Sequence, residues 1–264
     1  MKNNRLRELL NEGKPTVGTH MVTTSPQMVE VIGHSGAFDY IELCGEYAAW
    51  GLADLENFAR AVELFPHMSS MMKVEQEPRI FIATRSLDAG IQNMLFADCR
   101  SVEEVKECIR AVRPETPEDG GVHGCSLRRS IGYVLEPGSE AWAKAQRDVM
   151  IAFMIEKVSA MEQLDEILSV KGVDMVQFGP CDYSISRGTP GQWSLPEVQR
   201  AERDMIELAL KKGVQPRVEP GSLEKAKEYF DMGVRHFAIG YDLITIYQWC
   251  QQNGEEMREL FASI

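Results

Sequence analysis

The sequence predicts a (β/α)8 barrel, and three observations predict it. Eight short apolar runs recur along the 264 residues, at 17–21, 38–43, 71–74, 93–97, 150–155, 174–178, 214–218 and 236–239. None alternates cleanly between apolar and polar residues, which is the pattern of parallel strands covered on both faces. Helical patterns separate most of them and no Gly/Ser- or Pro-rich linker divides the chain, so residues 1–264 read as a single barrel domain.

The elements follow in order. A polar segment near 4–11 reads as an extra helix ahead of the first strand. Ser25 and Pro26 open the helix after strand 1, a capping residue followed by proline in the first turn. Leu55, Phe58, Ala59 and Val62 share one helical face within 54–65. Ser101 and Glu104 have capping-box spacing ahead of 102–112. Patterns at 160–170, 195–212 and 222–232 fill later gaps, and Gly213 and Gly233 stand where C-capping glycines belong. The stretch 113–136 is an irregular loop, and a loop that long in a compact domain predicts function. Its Arg128-Arg129 pair is either a site for a distal carboxylate or a solvated charge.

Composition narrows the function. Lys plus Arg total 28 against 40 Asp plus Glu, a net charge of −12, which argues against a nucleic-acid or anionic-membrane binder. Hydrophobic residues are 44% of the chain, enough for a sizeable core. No apolar run reaches the roughly 18 residues of a membrane span, and the polar N-terminus has no signal-peptide stretch. The six cysteines form no C-x-x-C pair, so they read as reduced thiols of a cytoplasmic protein. The absence of a P-loop, a G-x-S-x-G elbow and a strand-linked G-x-G-x-x-G excludes the commonest NTPase, hydrolase and Rossmann readings.

In such a barrel the active site lies at the C-terminal ends of the strands. The residues there are Glu42 to Tyr47 after strand 2, Lys73 at strand 3, Glu156-Lys157 after strand 5, Gly179-Pro180-Cys181-Asp182 after strand 6, Arg217-Val218-Glu219 at strand 7 and Gly240-Tyr241-Asp242 at strand 8. Glu156 and Asp182 follow neighbouring strands and can converge on a divalent cation, Mg²⁺ or Mn²⁺ with Co²⁺ as an alternative. The plainer reading pairs Glu156 with Lys157 or makes it a helix cap. Gly179, Pro180 and Cys181 suggest a backbone that approaches a ligand carboxylate closely, or simply a tight turn. Val218 completes this substrate-binding set. Lys73 offers a cation for a developing enolate or, with less support, an imine nucleophile. Tyr47 is a candidate proton donor or a packed rim residue. The five histidines show no ligand spacing, which argues against a histidine metal site; His20 lies near the end of strand 1 and can face the mouth.

These residues resemble the HpcH/HpaI aldolase family, which includes the 2-keto-3-deoxy sugar-acid aldolases. The likeness runs from Leu9-Leu10-Asn-Glu-Gly-Lys-Pro-Thr-Val-Gly18 through Phe38-Asp39-Tyr-Ile-Glu-Leu-Cys-Gly45-Glu46 and Leu87-Asp88-Ala-Gly90. It is strongest at Ile155-Glu156, Gly172-Val173-Asp174 and Gly179-Pro180-Cys-Asp182-Tyr-Ser184, and ends at Ala238-Ile239-Gly240-Tyr-Asp242. The resemblance implies a phosphoenolpyruvate/pyruvate-type barrel, commonly a hexamer with an exchanged helix, that cleaves or forms 4-hydroxy-2-oxo acids by way of pyruvate and an aldehyde. It implies Glu156 and Asp182 as metal ligands, residues 179–182 as the pyruvate-carboxylate cradle, and Asp88 as the acid that orients the catalytic base. This chain departs at that base. Tyr47 stands where the family has His, Lys73 where it has Arg, Met154 where it has Gln, and Val122-His123-Gly124 where it has an Arg-Gly pattern. Those changes keep open an enolate-based decarboxylase, a carbon–carbon bond-forming synthase, or a non-catalytic oxo-acid-binding barrel, and leave a homo-oligomer, hexamer or trimer, as the expected assembly.

Overall fold

The computed structural model describes residues 3–125 and 127–264. Eight parallel strands close into a barrel: β1 (Thr16–Met21), β2 (Tyr40–Cys44), β3 (Ser69–Val74), β4 (Asn93–Phe96), β5 (Met150–Ile155), β6 (Met175–Phe178), β7 (Gln215–Val218) and β8 (His236–Tyr241), with β8 pairing back onto β1. Around them run α1 (Arg5–Asn11), α2 (Pro26–Ser35), α3 (Leu52–Val62), α4 (Arg79–Ala89), α5 (Val102–Val112), α6 (Glu140–Arg147), α7 (Val158–Glu162), α8 (Leu164–Ile167), α9 (Pro180–Ser186), α10 (Pro196–Lys212), α11 (Leu223–Met232) and α12 (Asp242–Ala262). All eight expected strands form, and the expected leading helix is α1, capped by the Asn4 side chain on the Arg7 N–H.

Most of the apolar core lies between the strands and the helix layer, as the two-sided burial of parallel strands requires. A second cluster fills the lower barrel: Leu6, Tyr40, Met71, Leu95, Met150 and Met175 are all buried there with their neighbours. Unbranched methionines suit this tapering space because they adapt to irregular gaps. Gly18 makes room for Tyr40, since a Cβ at residue 18 would lie 2.2 Å from the Tyr40 ring.

α1 plugs the end where the strands begin. The Leu6 N–H donates to Ser69 Oγ at 3.0 Å, and the Asn4 amide donates to Asn93 Oδ1 at 2.8 Å and to the Asp148 carbonyl at 3.0 Å. This explains why β3 starts at Ser69 rather than at Met71. The two serines are polar in sequence but buried beneath the plug.

Two expectations are revised, and the place of a third element is fixed. The 160–170 helix is broken into α7 and α8. Glu104 completes no capping box: Ser101 Oγ accepts from the Glu104 N–H, but the Glu104 carboxylate turns to the Arg100 N–H and to Arg79. The long loop does not reach the mouth of its own barrel. It connects α5 to β5 and therefore lies at the strand-N-terminal end, where Arg129 holds Glu63 and the Ala89 carbonyl at 2.8 and 3.1 Å. Among the described residues no helix is long and apolar enough to cross a membrane.

Candidate active site

The strand ends deliver the expected carboxylates. Glu156 directly follows β5 and is buried. Its Oε1 accepts the Asp98 N–H at 2.7 Å, and among the described residues no hydrogen bond reaches Oε2. That free oxygen lies against Gly179, where a Cβ would sit 2.5 Å from it; only glycine lets the β6–α9 turn pass this close. Met154 packs under the same turn. Burial pushes the Glu156 carboxyl up to about 7; Lys73 and the Asp98 N–H pull it down, and Asp182 and Glu46 add to the rise. Asp182, in the first turn of α9, is partly exposed, with one oxygen 3.1 Å from Lys157 Nζ. Lys157 also contacts Asp98 at 2.9 Å.

This donor set fits a hard divalent cation. On a buried side chain it offers a carboxylate oxygen that accepts no hydrogen bond among the described residues, with a second carboxylate on the adjacent strand's turn, and burial already favours protonation of Glu156. Among the described residues no third His, Cys, Asp or Glu joins them, so water and substrate oxygens would supply the remaining positions, as is usual for Mg²⁺.

Lys73 closes β3 beside this pair. Its Nζ pairs with Glu46 Oε2 at 2.7 Å and donates to the Tyr47 hydroxyl at 2.8 Å. Burial alone would lower its pKa, but Tyr47, Glu46 and Glu156 outweigh that and hold the ammonium above its ordinary range. An amine held protonated is a poor imine nucleophile, which counts against covalent chemistry at Lys73. Desolvation pushes the Tyr47 hydroxyl up to about 12 although Lys73 pulls the other way. Because Lys73 donates to the phenol oxygen, the phenol proton is free to be donated elsewhere. Tyr47 thus stays a protonated phenol beside Lys73.

One expected residue stands apart. Asp88 sits near the end of α4, at the strand-N-terminal side, 3.6 Å from Arg128 Nε and 3.9 Å from His123 Nε2. Within one chain it does not meet Tyr47. Val218 is buried at the end of β7, and Pro180 and Cys181 are exposed in the first turn of α9.

Two features escaped the sequence reading. Asp98, past β4, adopts φ +56°, a conformation non-glycine residues rarely hold except under local constraint. It uses its N–H for Glu156 and its carboxylate for Lys157 and Arg100. No signal in the sequence marks Asp98, which resembles an ordinary turn residue. The second feature is a charged layer inside the barrel. Arg217 is fully buried and reaches Glu42 at 2.6 Å, the Tyr40 hydroxyl at 2.7 Å, His20 Nε2 at 3.1 Å and Gln177 Oε1. His20 stacks on Tyr241 with ring centroids 4.2 Å apart.

The comparisons give the family and the fold. The family model described as HpcH/HpaI aldolase/citrate lyase matches residues 18–248. The chain belongs to the HpcH/HpaI aldolase/citrate lyase family. It is therefore a carbon–carbon lyase of the aldolase type. It is 28% identical over 239 residues to the 4-hydroxy-2-oxo-heptane-1,7-dioate aldolase of Shigella boydii serotype 18, covering 90% of this chain and 89% of that one. The Klebsiella pneumoniae protein of the same name is 28% identical over 240 residues, with 91% and 88% covered. Among solved structures, a family member from Burkholderia cenocepacia J2315 superposes with a TM-score of 0.87 at 22% identity, covering 97% of this chain and all of that one. Citrate synthase SbnG gives 0.86 at 24%, with 98% and 100% covered. At these identities the structural likenesses establish the barrel, and the family match carries the rest.

Proposed function

We propose that this family member cleaves and forms 4-hydroxy-2-oxo acids through a pyruvate enolate, with Mg²⁺ or Mn²⁺ held by Glu156 and Asp182. The observation that carries the reading is the free Glu156 Oε2 beside the Gly179 turn, one strand from Asp182. A bound divalent cation would act there as a Lewis acid on the oxo acid.

The chain's own residues do the rest. The exposed N–H groups of the first α9 turn, at Cys181 and Asp182, offer donors for the pyruvate carboxylate. The Lys73 ammonium adds positive charge near the developing enolate. In bond formation Tyr47 gives its proton to the oxygen of the accepting aldehyde, and the Lys73 hydrogen bond steadies the phenolate left behind; cleavage is the reverse, the phenolate oxygen taking the proton of the 4-hydroxyl as the carbon–carbon bond breaks. Lys157 holds Asp98 and Asp182 in register, and the Asp98 N–H orients Glu156. Asp88 enters this scheme only if it is brought to the mouth by another copy of the chain.

We further propose that residues 1–264 act as one barrel domain in a cytoplasmic homo-oligomer, hexamer or trimer. The unpaired thiols suit a reducing compartment. α12 exposes Leu243, Ile244, Tyr247, Trp249, Leu260 and Phe261, an apolar extent that favours burial against a partner.

Manganese titration followed by calorimetry tests the site. Wild-type protein should bind one Mn²⁺ per chain, and Glu156→Gln and Asp182→Asn should each weaken binding by more than about tenfold and abolish turnover. Unchanged Mn²⁺ affinity in both variants would contradict the assignment.

A further inference from the structure

We propose that Glu219, supported by Tyr241 and His20, forms the subsite for the second substrate and selects an aldehyde that carries hydroxyl groups over one that carries a carboxylate. This rests on the aldolase reading and extends it to the partner.

Glu219 directly follows β7, one strand from the Gly179 turn and two from Glu156. Its side chain reaches inward across the mouth. Oε1 accepts from Gln177 Nε2 on β6 at 2.6 Å and lies 3.0 Å from His20 Nε2 on β1. Oε2 accepts from the Tyr241 hydroxyl on β8 at 3.1 Å. Partners on three strands fix the carboxylate in one orientation, yet its side chain remains 32% exposed. It is a preorganised acceptor with lone pairs left for a ligand.

The charge is equally fixed. Burial alone would raise this carboxyl, but His20, Arg217 and Gln177 outweigh it and hold Glu219 well below the usual carboxylate range. Arg217 does not cancel that charge at the surface, because it is fully buried and already paired with Glu42. His20 is 1% exposed on its side chain, covered by Glu219 and stacked by Tyr241. The group presented to a ligand at this side of the mouth is therefore an anion. It accepts strong charge-assisted hydrogen bonds from hydroxyls and repels a second carboxylate. Within one chain the Arg128-Arg129 pair belongs to the segment at the opposite end of the barrel, with Arg129 paired to Glu63.

The test is an aldehyde competition with pyruvate and Mn²⁺, using glyceraldehyde against succinic semialdehyde. Wild-type enzyme should favour glyceraldehyde in kcat/KM by at least about 30-fold, as expected where an acceptor is built for a hydroxyl. Glu219→Gln should lower kcat/KM for glyceraldehyde about tenfold or more, chiefly through KM, and improve succinic semialdehyde, so that the ratio collapses. Tyr241→Phe, which removes one of the bonds that orient the carboxylate but keeps its charge, should lower kcat/KM for glyceraldehyde by less and leave succinic semialdehyde poor, so that the ratio falls modestly; it keeps the test decisive if the Gln variant fails to fold. A wild-type preference for succinic semialdehyde, or a ratio unchanged in both variants, overturns the proposal. Deuterium exchange into pyruvate by wild-type enzyme separates the two levels. Exchange with an unchanged ratio removes only the Glu219 subsite, whereas absence of exchange removes the aldolase reading and this proposal with it.

Discussion

The two ends of the barrel use the same kinds of side chain in opposite ways. Where the strands begin, Arg7 forks onto both oxygens of Asp174 at 2.8 and 2.6 Å and onto the Asp148 and Val149 carbonyls. Asp174 also accepts the Ile151 N–H, Arg113 takes three carbonyls, and Asn4 ties α1 to β4 and to the turn ahead of β5. Where the strands end, Glu156 keeps an oxygen without a partner, Asp182 is half-paired, Tyr47 keeps a free proton and Glu219 stays partly open. Valences closed by the protein give stability; valences left open at fixed positions give a site for a ligand to complete.

The charged layer under the mouth sets the largest expected break in this contrast. Arg217→Met leaves Glu42 charged and buried without its partner, a loss of about 3–5 kcal/mol in urea unfolding. Adding Glu42→Leu should restore most of it, because the buried charge goes as well. If the double variant is no more stable than the single one, the pair is not the reason for the loss.

His236, at the start of β8, sharpens the floor. It is buried with its Nδ1 2.9 Å from Thr16 Oγ1, and burial, with Arg235 adding, pushes it down to about 4. A folded-state pKa below the ordinary value near 6.5 means the unfolded chain binds the proton first. Its contribution is present above about pH 6.5 and lost as pH falls towards 4, up to about 3 kcal/mol. Thermal unfolding across that window should show the decline, and His236→Gln should flatten it. A wild-type profile that stays level from 6.5 to 4 would remove this role.

Asp174→Asn gives the smallest effect. It weakens the fork from Arg7 and should cost about 1–3 kcal/mol, while kcat of the folded fraction stays within about twofold because the residue lies a strand's length from the mouth. A large fall in kcat without a fall in stability would break the division between the two ends.

Much of this was legible in the sequence. Short apolar runs without alternation located all eight strands, since two-sided burial leaves a local signature. The barrel rule and the family motifs picked out Glu156 and Asp182. Relations between distant strands were not legible. Glu42 and Arg217 meet across the barrel although 175 positions separate them, and no local pattern encodes that. The length of the 113–136 loop predicts function, and its place between a helix and the next strand fixes the end of the barrel it occupies. Lys73 and Tyr47 were each visible as candidates; their hydrogen bond, which fixes Tyr47 as a donor, required the fold.

The most direct test of the account is α-proton exchange of pyruvate in D2O with Mn²⁺, followed by NMR. Wild-type protein should exchange the methyl protons well above the rate without enzyme, and EDTA or Glu156→Gln should remove that exchange. No exchange by the wild type with either Mn²⁺ or Mg²⁺, or exchange that persists in the variant and in EDTA, would contradict a metal-assisted enolate at Glu156 and Asp182.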